Sequence, residues 1–410
     1  MTDCATDPEG ALATAFEQEW ARVVANLIRA TGDWDLAEEC AQEAFALALP
    51  AWRRDGVPDS PRGWLTTTAR NRAVDRIRRD RVGAAKLRVL AGERPTVAEP
   101  EFDLDALDSG ITDERLRLIF TCCHPALSLE ARVTLALRTL GGLSTAEIAR
   151  AFLVGEATMA KRLTRTKQKI ALAGIPYRVP PAHLLPERTT SVLAVLYLMF
   201  NEGYAATAGP QLVRADLCAR AVRLAGLVAE LMPDHPEAGG LHALLLLLHA
   251  RRGARVDAGG ALVPLDEQDP ARWEAAGITA GLAAIERALR RRQIGPYQLQ
   301  ALIAGCHVSG PPTDWARIAG LYDRLLVLVP SAAVRLNRAI AVAMRSGPQA
   351  GLDLLETVGD HPLLPATRAD LLRRLGRPAD AVAHYRAALD RTANEAERRY
   401  LRRRLAECDR

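Results

Sequence analysis

The sequence predicts an all-α protein with two small helical modules followed by a larger helical domain. Apolar residues recur at a helical period along most of the 410 residues, which indicates amphipathic helices. A capping box and a short turn separate two helices near residue 150, and helix-glycine-proline-helix units recur near the C-terminus. The exception is residues 255–265, where a pattern centred on Gly259-Gly260 predicts a small β-hairpin.

Residues 1–82 are predicted to form the first helical bundle, with helices over 16–29, 34–49 and 63–79. In the third helix, apolar residues recur every four positions and form a packing stripe. Residues 33–43 carry five acids and no base, whereas residues 62–81 carry seven bases. Separate acidic and basic segments predict at least two kinds of macromolecular partner.

Two segments divide the rest of the chain. Residues 83–112 contain a run of acids with two prolines and are predicted to be a flexible acidic linker before a second module at 113–172. Residues 173–186 contain four prolines, which cannot continue a helix, so a second linker is expected there. The larger helical domain then occupies 187–410.

The second module ends in a predicted helix-turn-helix. Ser144 and Glu147 have the three-residue spacing of a capping box, and Gly155 is an acceptable N-cap for a second helix over 156–170. A solvated basic surface would explain the second helix alone, but the capped helix and tight turn before it favour DNA binding. The side chains expected to contact bases or phosphates are Thr158, Lys161, Arg162, Arg165, Lys167 and Lys169.

Several function classes find no support in the sequence. The seven cysteines are scattered and include no CxxC pair, and Cys122-Cys123-His124 lacks the second ligand pair of a zinc site. No nucleophile motif, P-loop or HExxH is present, so neither catalysis, a cofactor nor a metal is expected. The N-terminus has no signal pattern and the apolar runs are too short to span a bilayer, which predicts a cytoplasmic protein without membrane association.

The order of the modules resembles an extracytoplasmic-function RNA polymerase sigma factor of the sigma-70 family. Residues 37–45 resemble the segment with which that family binds the polymerase clamp, and residues 64–79 resemble its promoter −10 segment. The resemblance implies core RNA polymerase and promoter DNA as partners, with the helix-turn-helix on the −35 element. The implied polymerase-binding residues are Asp35, Glu38, Glu39, Gln42 and Phe45. The implied −10 residues are Trp64, Arg70, Asn71, Arg72, Arg76, Arg78 and Arg79.

The C-terminal domain resembles that of a sigma factor subgroup with a fused tetratricopeptide-like domain. The resemblance rests on residues 200–204, Asp314-Trp315 and residues 336–339, and Gly376 with residues 381–389 fits a tetratricopeptide pattern. It implies regulation through the fused domain by an unidentified protein or small molecule. An irregular helical domain is the alternative, and Asn201-Glu202-Gly203 alone predicts a helix C-terminus with a left-handed glycine.

Two other functions remain open from the sequence. A one-component helix-turn-helix regulator with a C-terminal sensing domain is the main alternative, and polymerase association separates it from a sigma factor. A tetratricopeptide scaffold with an incidental basic surface is the second. Cys40, Ala41 and residues 156–159 depart from the sigma factor pattern, so promoter preference cannot be transferred.

Overall fold

The computed structural model describes residues 7–90, 114–152, 154–206, 208–209, 211–310 and 312–409. These residues form two compact units. The first comprises the described residues up to Val192 except Ala151 and Phe152, and the second comprises those two and the described residues from Leu193 onward. Apart from two strands of two residues, every named element in the described ranges is helical, which confirms the predicted fold class.

The first unit contains both predicted small modules. Its helices are α1 (Pro8–Thr31), α2 (Trp34–Asp55), α3 (Pro61–Leu90), α4 (Glu114–Cys122), α5 (Leu129–Leu135), α6 (Thr145–Ala151) and α7 (Glu156–Leu172). The stripe predicted on α3 packs inward, because Leu65, Ala69 and Ala73 are all buried. The capping box of α6 is present, with Ser144 N donating to Glu147 at 2.7 Å and Glu147 N donating to Ser144 Oγ at 3.2 Å.

The first three helices are longer than predicted. α1 begins at Pro8 because the Asp7 carboxylate caps it, accepting from the amides of Glu9 and Gly10. α2 continues through Pro50 to Asp55, and the turn beyond that proline carries the buried Trp52. α3 continues to Leu90, so residues 83–90 are helix and not linker; residues 91–112 of the predicted linker lie outside the described residues.

A π-helical turn, Ala136–Leu140, follows α5 directly. Its widened backbone ends at Gly141, whose amide donates to Ala136 O at 3.0 Å. Gly142 then has φ +68°, and a Cβ there would lie 2.8 Å from the ring of Phe16 on α1. This close approach brings the second module against the first.

The proline-rich segment 173–186 runs without helix from residue 173 to 184 and packs against the first bundle. Ile175 is buried, and the Tyr177 ring packs edge-on against Trp34 at a centroid distance of 6.5 Å. The Tyr177 hydroxyl donates to Ala25 O at 3.0 Å. Burial raises the pKa of the Tyr177 hydroxyl. The segment is therefore anchored on the first bundle by its one aromatic side chain.

The second unit is a helical array joined to the first unit through α8 (Leu185–Tyr204). Its further helices are α9 (Ala215–Leu231), α10 (Pro236–Ala250), α11 (Ala275–Leu289), α12 (Pro296–Val308), α13 (Trp315–Leu328), α14 (Ala332–Ser346), α15 (Pro348–Leu355), α16 (Leu364–Arg374), α17 (Pro378–Arg391) and α18 (Glu395–Cys408). Within 255–265 the predicted hairpin is reduced to one antiparallel bridge, Val256 to Leu262. The Asp257 carboxylate closes the turn by accepting from Ala261 N at 2.9 Å.

The two predicted helix-glycine-proline-helix units are present as α14 with α15 and α16 with α17. Gly347 and Gly376 have φ of +98° and +74°, which favours glycine over other residues. Ala381, Tyr385 and Ala388 are buried, as a repeat-type packing face requires. These hairpins agree with the pattern, but the assignment to tetratricopeptide repeats remains a prediction.

Asn394 connects the last part of the second unit to its beginning. It lies on β2 (Ala393–Asn394), which pairs in parallel with β1 (Ala208–Gly209). The buried Asn394 amide donates to Ala206 O at 2.9 Å and to Gln211 O at 3.1 Å. Its oxygen accepts from Ala396 N and caps α18. One side chain thus satisfies backbone groups from both ends of the unit.

Gly203 does not adopt the left-handed conformation predicted for it. It lies inside α8, and a Cβ at this position would be 2.9 Å from both the backbone nitrogen and the sulfur of Cys218 on α9. The Gly203 carbonyl accepts from Arg214 N at 2.7 Å. Glycine is needed because two helix backbones approach closely, and no turn is involved.

Gly203→Ala is expected to destabilise the second unit by about 1–3 kcal/mol, because the new methyl group overlaps α9. The matched control is Gly320→Ala, since Gly320 is also helical and has open space around its Cβ position. That control should stabilise by about 0.5–1 kcal/mol. Thermal unfolding of the two full-length variants measures the difference, and equal shifts for the two variants would contradict the close approach.

Candidate functional site

The acidic helix α2 carries a buried carboxylate in its second turn. The Glu38 side chain is 3% exposed and accepts three hydrogen bonds. The donors are Arg138 Nε at 2.9 Å, Thr139 Oγ1 at 3.0 Å and Lys167 Nζ at 3.1 Å. All three donors lie in the second small module, so Glu38 joins the two predicted modules.

The π-helical turn explains how two consecutive residues can serve the same carboxylate. It directs Arg138 and Thr139 together toward α2, and Thr139 O lies in the last turn of the helix, where carbonyls lack an intrahelical partner and can accept from a side chain. The indole of Trp20 donates to that oxygen at 3.0 Å. Arg138 also donates to Leu143 O at 3.0 Å, which holds the guanidinium in place.

Two neighbours of Glu38 on α2 are bound by the same cations. Lys167 Nζ lies 2.6 Å from the Asp35 carboxylate, although Asp35 itself is exposed. Gln42 lies beside Arg138, and with its amide oxygen turned toward the guanidinium the two groups are 2.8 Å apart. Residues predicted to bind polymerase are therefore engaged within the chain.

Two further acids of α2, Glu39 and Glu43, pair with arginines of α3. Arg76 lies 2.8 Å from Glu39 and 3.7 Å from Glu43, and Arg72 lies 3.9 Å from Glu43. These pairs are partly exposed, and ion pairs of this kind contribute little to stability. They do neutralise two arginines predicted to bind the −10 element.

Phe45 is not available for the role predicted for it. It is 6% exposed and packs against Phe16 and Trp20, with ring centroids 5.1 Å and 5.9 Å away. Its ring fills the interior of the first bundle, because α1 crosses α2 at this point. The expectation that Phe45 fills an apolar notch on a partner is not met in this conformation.

The other predicted −10 residues lie along α3 with different exposures. Trp64 packs edge-on against Trp52 at 5.9 Å and is half-buried, as is Arg70. Asn71, Arg78 and Arg79 are exposed. The structure thus presents a polar and cationic strip on α3.

The second helix of the helix-turn-helix, α7, has the two faces that its sequence predicts. Met159, Leu163 and Ile170 are buried. The exposed residues of the opposite face include Thr158, Lys161, Arg165 and Lys169. Arg162 is partly exposed and forms an ion pair with Glu130 at the start of α5.

Lys167 is a correction to the predicted DNA-binding set. Its side chain is only 11% exposed, because it turns toward Asp35 and Glu38 and away from solvent. A lysine held by two carboxylates is not free to contact a phosphate in this conformation.

Comparison with known proteins agrees with this arrangement. Residues 15–82 match sigma-70 region 2, and residues 117–170 match sigma-70 region 4. The ECF RNA polymerase sigma factor SigK of Mycobacterium tuberculosis is 31% identical over 160 residues, which cover 38% of this chain and 81% of SigK. The chain belongs to the ECF RNA polymerase sigma factors. SigK of Mycobacterium ulcerans is similar at 30% identity over 159 residues, covering 37% of this chain and 80% of that protein.

Beyond the sigma factor regions, residues 188–289 match a family of unknown function, DUF6596. The uncharacterized protein R00370 of Rhizobium meliloti is 42% identical over 398 residues, covering 92% of this chain and 91% of that protein. Both the sigma factor regions and the second unit are therefore shared with that relative. No solved structure matches the chain.

The residues that the sequence analysis missed in this sigma factor are the donors around Glu38. Trp20, Arg138 and Thr139 were not singled out, because nothing in their local sequence indicates a π-helical turn or a partner 100 or more residues away. One signal was available in the sequence of α2. Glu38 lies between Ala37 and Ala41, which are on the apolar face of the helix and are both buried.

Cys122 ends α4 of the sigma factor and Cys123 follows it, both as buried thiols, and burial raises the pKa of Cys123 to about 12. His124 Nε2 lies 2.9 Å from the Arg188 guanidinium. Across the described ranges, no three His, Cys, Asp or Glu residues are grouped as metal ligands. None of the described helices combines the length and apolar character needed to cross a bilayer.

Glu38→Gln should lower the free energy of unfolding of the first unit by about 3 kcal/mol, because it leaves Arg138 and Lys167 without their buried carboxylate. The control, Glu39→Gln, alters an exposed pair and should change stability by less than about 1 kcal/mol. Urea denaturation read by hydrogen-exchange protection of α2 peptides measures both values. Similar shifts for the two variants would contradict the central position of Glu38.

Proposed function

We propose that this sigma factor binds core RNA polymerase through α2 and directs promoter-specific initiation through α3 and α7. The observation that carries the proposal is the joint presence, in one chain, of sigma-70 regions 2 and 4 with an exposed cationic face on α7. No bond is made or broken by the protein itself. Its contribution is binding and positioning.

Binding to polymerase would proceed by exchange of ion pairs. In the free chain, Glu38, Asp35 and Gln42 face Arg138 and Lys167, and Glu39 faces Arg76. Basic groups on the polymerase would replace these partners. A buried ion pair contributes little net stability because desolvation offsets its Coulomb energy, so exchanging one partner for another need not be costly.

The same exchange would free the DNA-binding residues. Release of Glu39 and Glu43 from α3 leaves Arg72 and Arg76 with uncompensated charge for the −10 strand, beside Asn71, Arg78 and Arg79. Release of Lys167 adds a cation to α7. Placing two weak DNA-binding modules on one polymerase raises their effective concentration at the promoter.

We also propose that the second unit regulates initiation. Support comes from the relative R00370, with which the chain shares both units over 91% of that protein's length. Because the second unit is part of the same chain as the sigma factor regions in both proteins, it is suited to regulate those regions directly.

Glu39→Arg is expected to weaken association with core polymerase about ten-fold, because it reverses charge on the exposed part of the docking helix. Glu286→Arg is the control, with the same charge change on an exposed residue of α11 in the second unit. Co-elution with bacterial core polymerase at several protein concentrations gives the relative affinities. Unchanged affinity for Glu39→Arg would rule out α2 as the docking helix.

Arg165→Glu should reduce promoter-specific transcription about ten-fold while leaving polymerase association intact, because it removes a cation from the exposed face of α7. Arg386→Glu provides the control on an exposed position of α17. In vitro transcription with core polymerase measures the activity of both variants. A chain ending at Val192, compared with the full-length chain in the same assay, tests regulation by the second unit. Equal transcript from Arg165→Glu and wild type would count against −35 recognition by α7.

A further inference from the structure

The second unit contains a cavity with two arginines in its wall. The cavity has a volume of about 330 Å³ and lies between α10, α12 and the turn that carries the Val256 to Leu262 bridge. Cavities that bind small molecules start at roughly this size. Its polar lining comes from Arg251, Arg255, Gln268 and His307, and its apolar wall includes Leu244 and Ile303.

Arg251 is the most buried charged group of this cavity. The residue is 5% exposed, and one guanidinium nitrogen donates to Gln268 Oε1 at 3.2 Å. The ring of Trp273 lies 5.6 Å from the guanidinium carbon. The Nε atom of Arg251 has no hydrogen-bond partner, and a buried donor without a partner lowers the stability of the fold.

Arg255 adds a second positive charge to the same wall. Its guanidinium stacks on the Tyr204 ring at 3.7 Å and donates to the Tyr204 carbonyl. Glu397 attracts Arg255 electrostatically but forms no ion pair with it. The Glu397 carboxylate instead accepts a hydrogen bond from Thr392 Oγ1 at 2.5 Å. Among the residues that the structure describes, neither arginine forms an ion pair with a carboxylate.

The pKa values of two basic groups in the cavity wall are lowered by their surroundings. Burial and the nearby Arg255 lower the pKa of Arg251, and burial together with the Arg251 charge lowers the pKa of His307 to about 4, so this histidine is neutral at pH 7. Arg251 is buried and Arg255 is half-buried, and neither forms an ion pair with a carboxylate of the described residues, so an external anion is expected to stabilise them.

We propose that this cavity binds a small organic anion, with a carboxylate or phosphate group on Arg251 and Arg255 and an apolar body against Leu244 and Ile303. The free Nε of Arg251 would supply one of the donors. The proposal concerns binding alone and holds independently of whether the chain acts with polymerase.

The test uses the full-length chain and three probes that share a phenyl ring: benzoate, phenyl phosphate and neutral benzamide. Calorimetry should show binding of at least one anion and a dissociation constant at least ten-fold weaker for benzamide. A preference for benzoate identifies a carboxylate ligand, and a preference for phenyl phosphate identifies a phosphate ligand. Two anions that bind no better than benzamide would overturn the proposal.

Variants locate the binding in this cavity. Arg251→Gln should weaken the preferred anion at least ten-fold, whereas Arg290→Gln, which removes an exposed charge on the same unit, should leave it unchanged. Ala304→Leu fills the cavity without altering either arginine and should also weaken binding, which keeps the test valid if Arg251→Gln does not fold. Wild-type affinity in both Arg251→Gln and Ala304→Leu would refute the assignment. If Arg251→Gln is unfolded, wild-type affinity in Ala304→Leu alone would refute it.

Discussion

The arrangement of the first unit depends on one buried carboxylate. The buried Glu38 carboxylate is satisfied in the interior because Arg138, Thr139 and Lys167 all donate to it. Those donors come from the π-helical turn and from α7, so the packing of region 4 on region 2 and the burial of the acid require each other. The same contact occupies side chains that are proposed to bind polymerase, so under that proposal assembly of the compact unit and docking compete for one set of charges.

The features that could be predicted from sequence are those set by local spacing. The capping box at Ser144 and Glu147 and the two faces of α7 follow from residues three or four apart, and both are present. The hairpins at Gly347 and Gly376 were equally predictable, because glycine followed by proline both ends one helix and starts the next. The existence and type of these elements needed no knowledge of the tertiary structure.

The features that could not be predicted depend on distant partners. Lys167 lies on a basic helix, but its direction is set by a carboxylate 129 residues away. Phe45 lies on an acidic helix, but α1 covers it. Gly203 follows two polar residues, a pattern that predicts a helix C-terminus, yet glycine is required there because Cys218 on another helix lies so close. In each case the local pattern supports one interpretation and a tertiary contact imposes another.

The Asn394 contacts have a consequence for how the chain is made. Domains generally fold in order of synthesis, and the sigma factor regions come first. The second unit cannot complete its structure until its last residues are synthesised. The carbonyls of Ala206 and Gln211 accept from the side-chain amide of Asn394, which lies 183 to 188 residues later in the chain. A nascent chain therefore passes through a period in which the sigma factor regions are already outside the ribosome while the unit that follows them is still open.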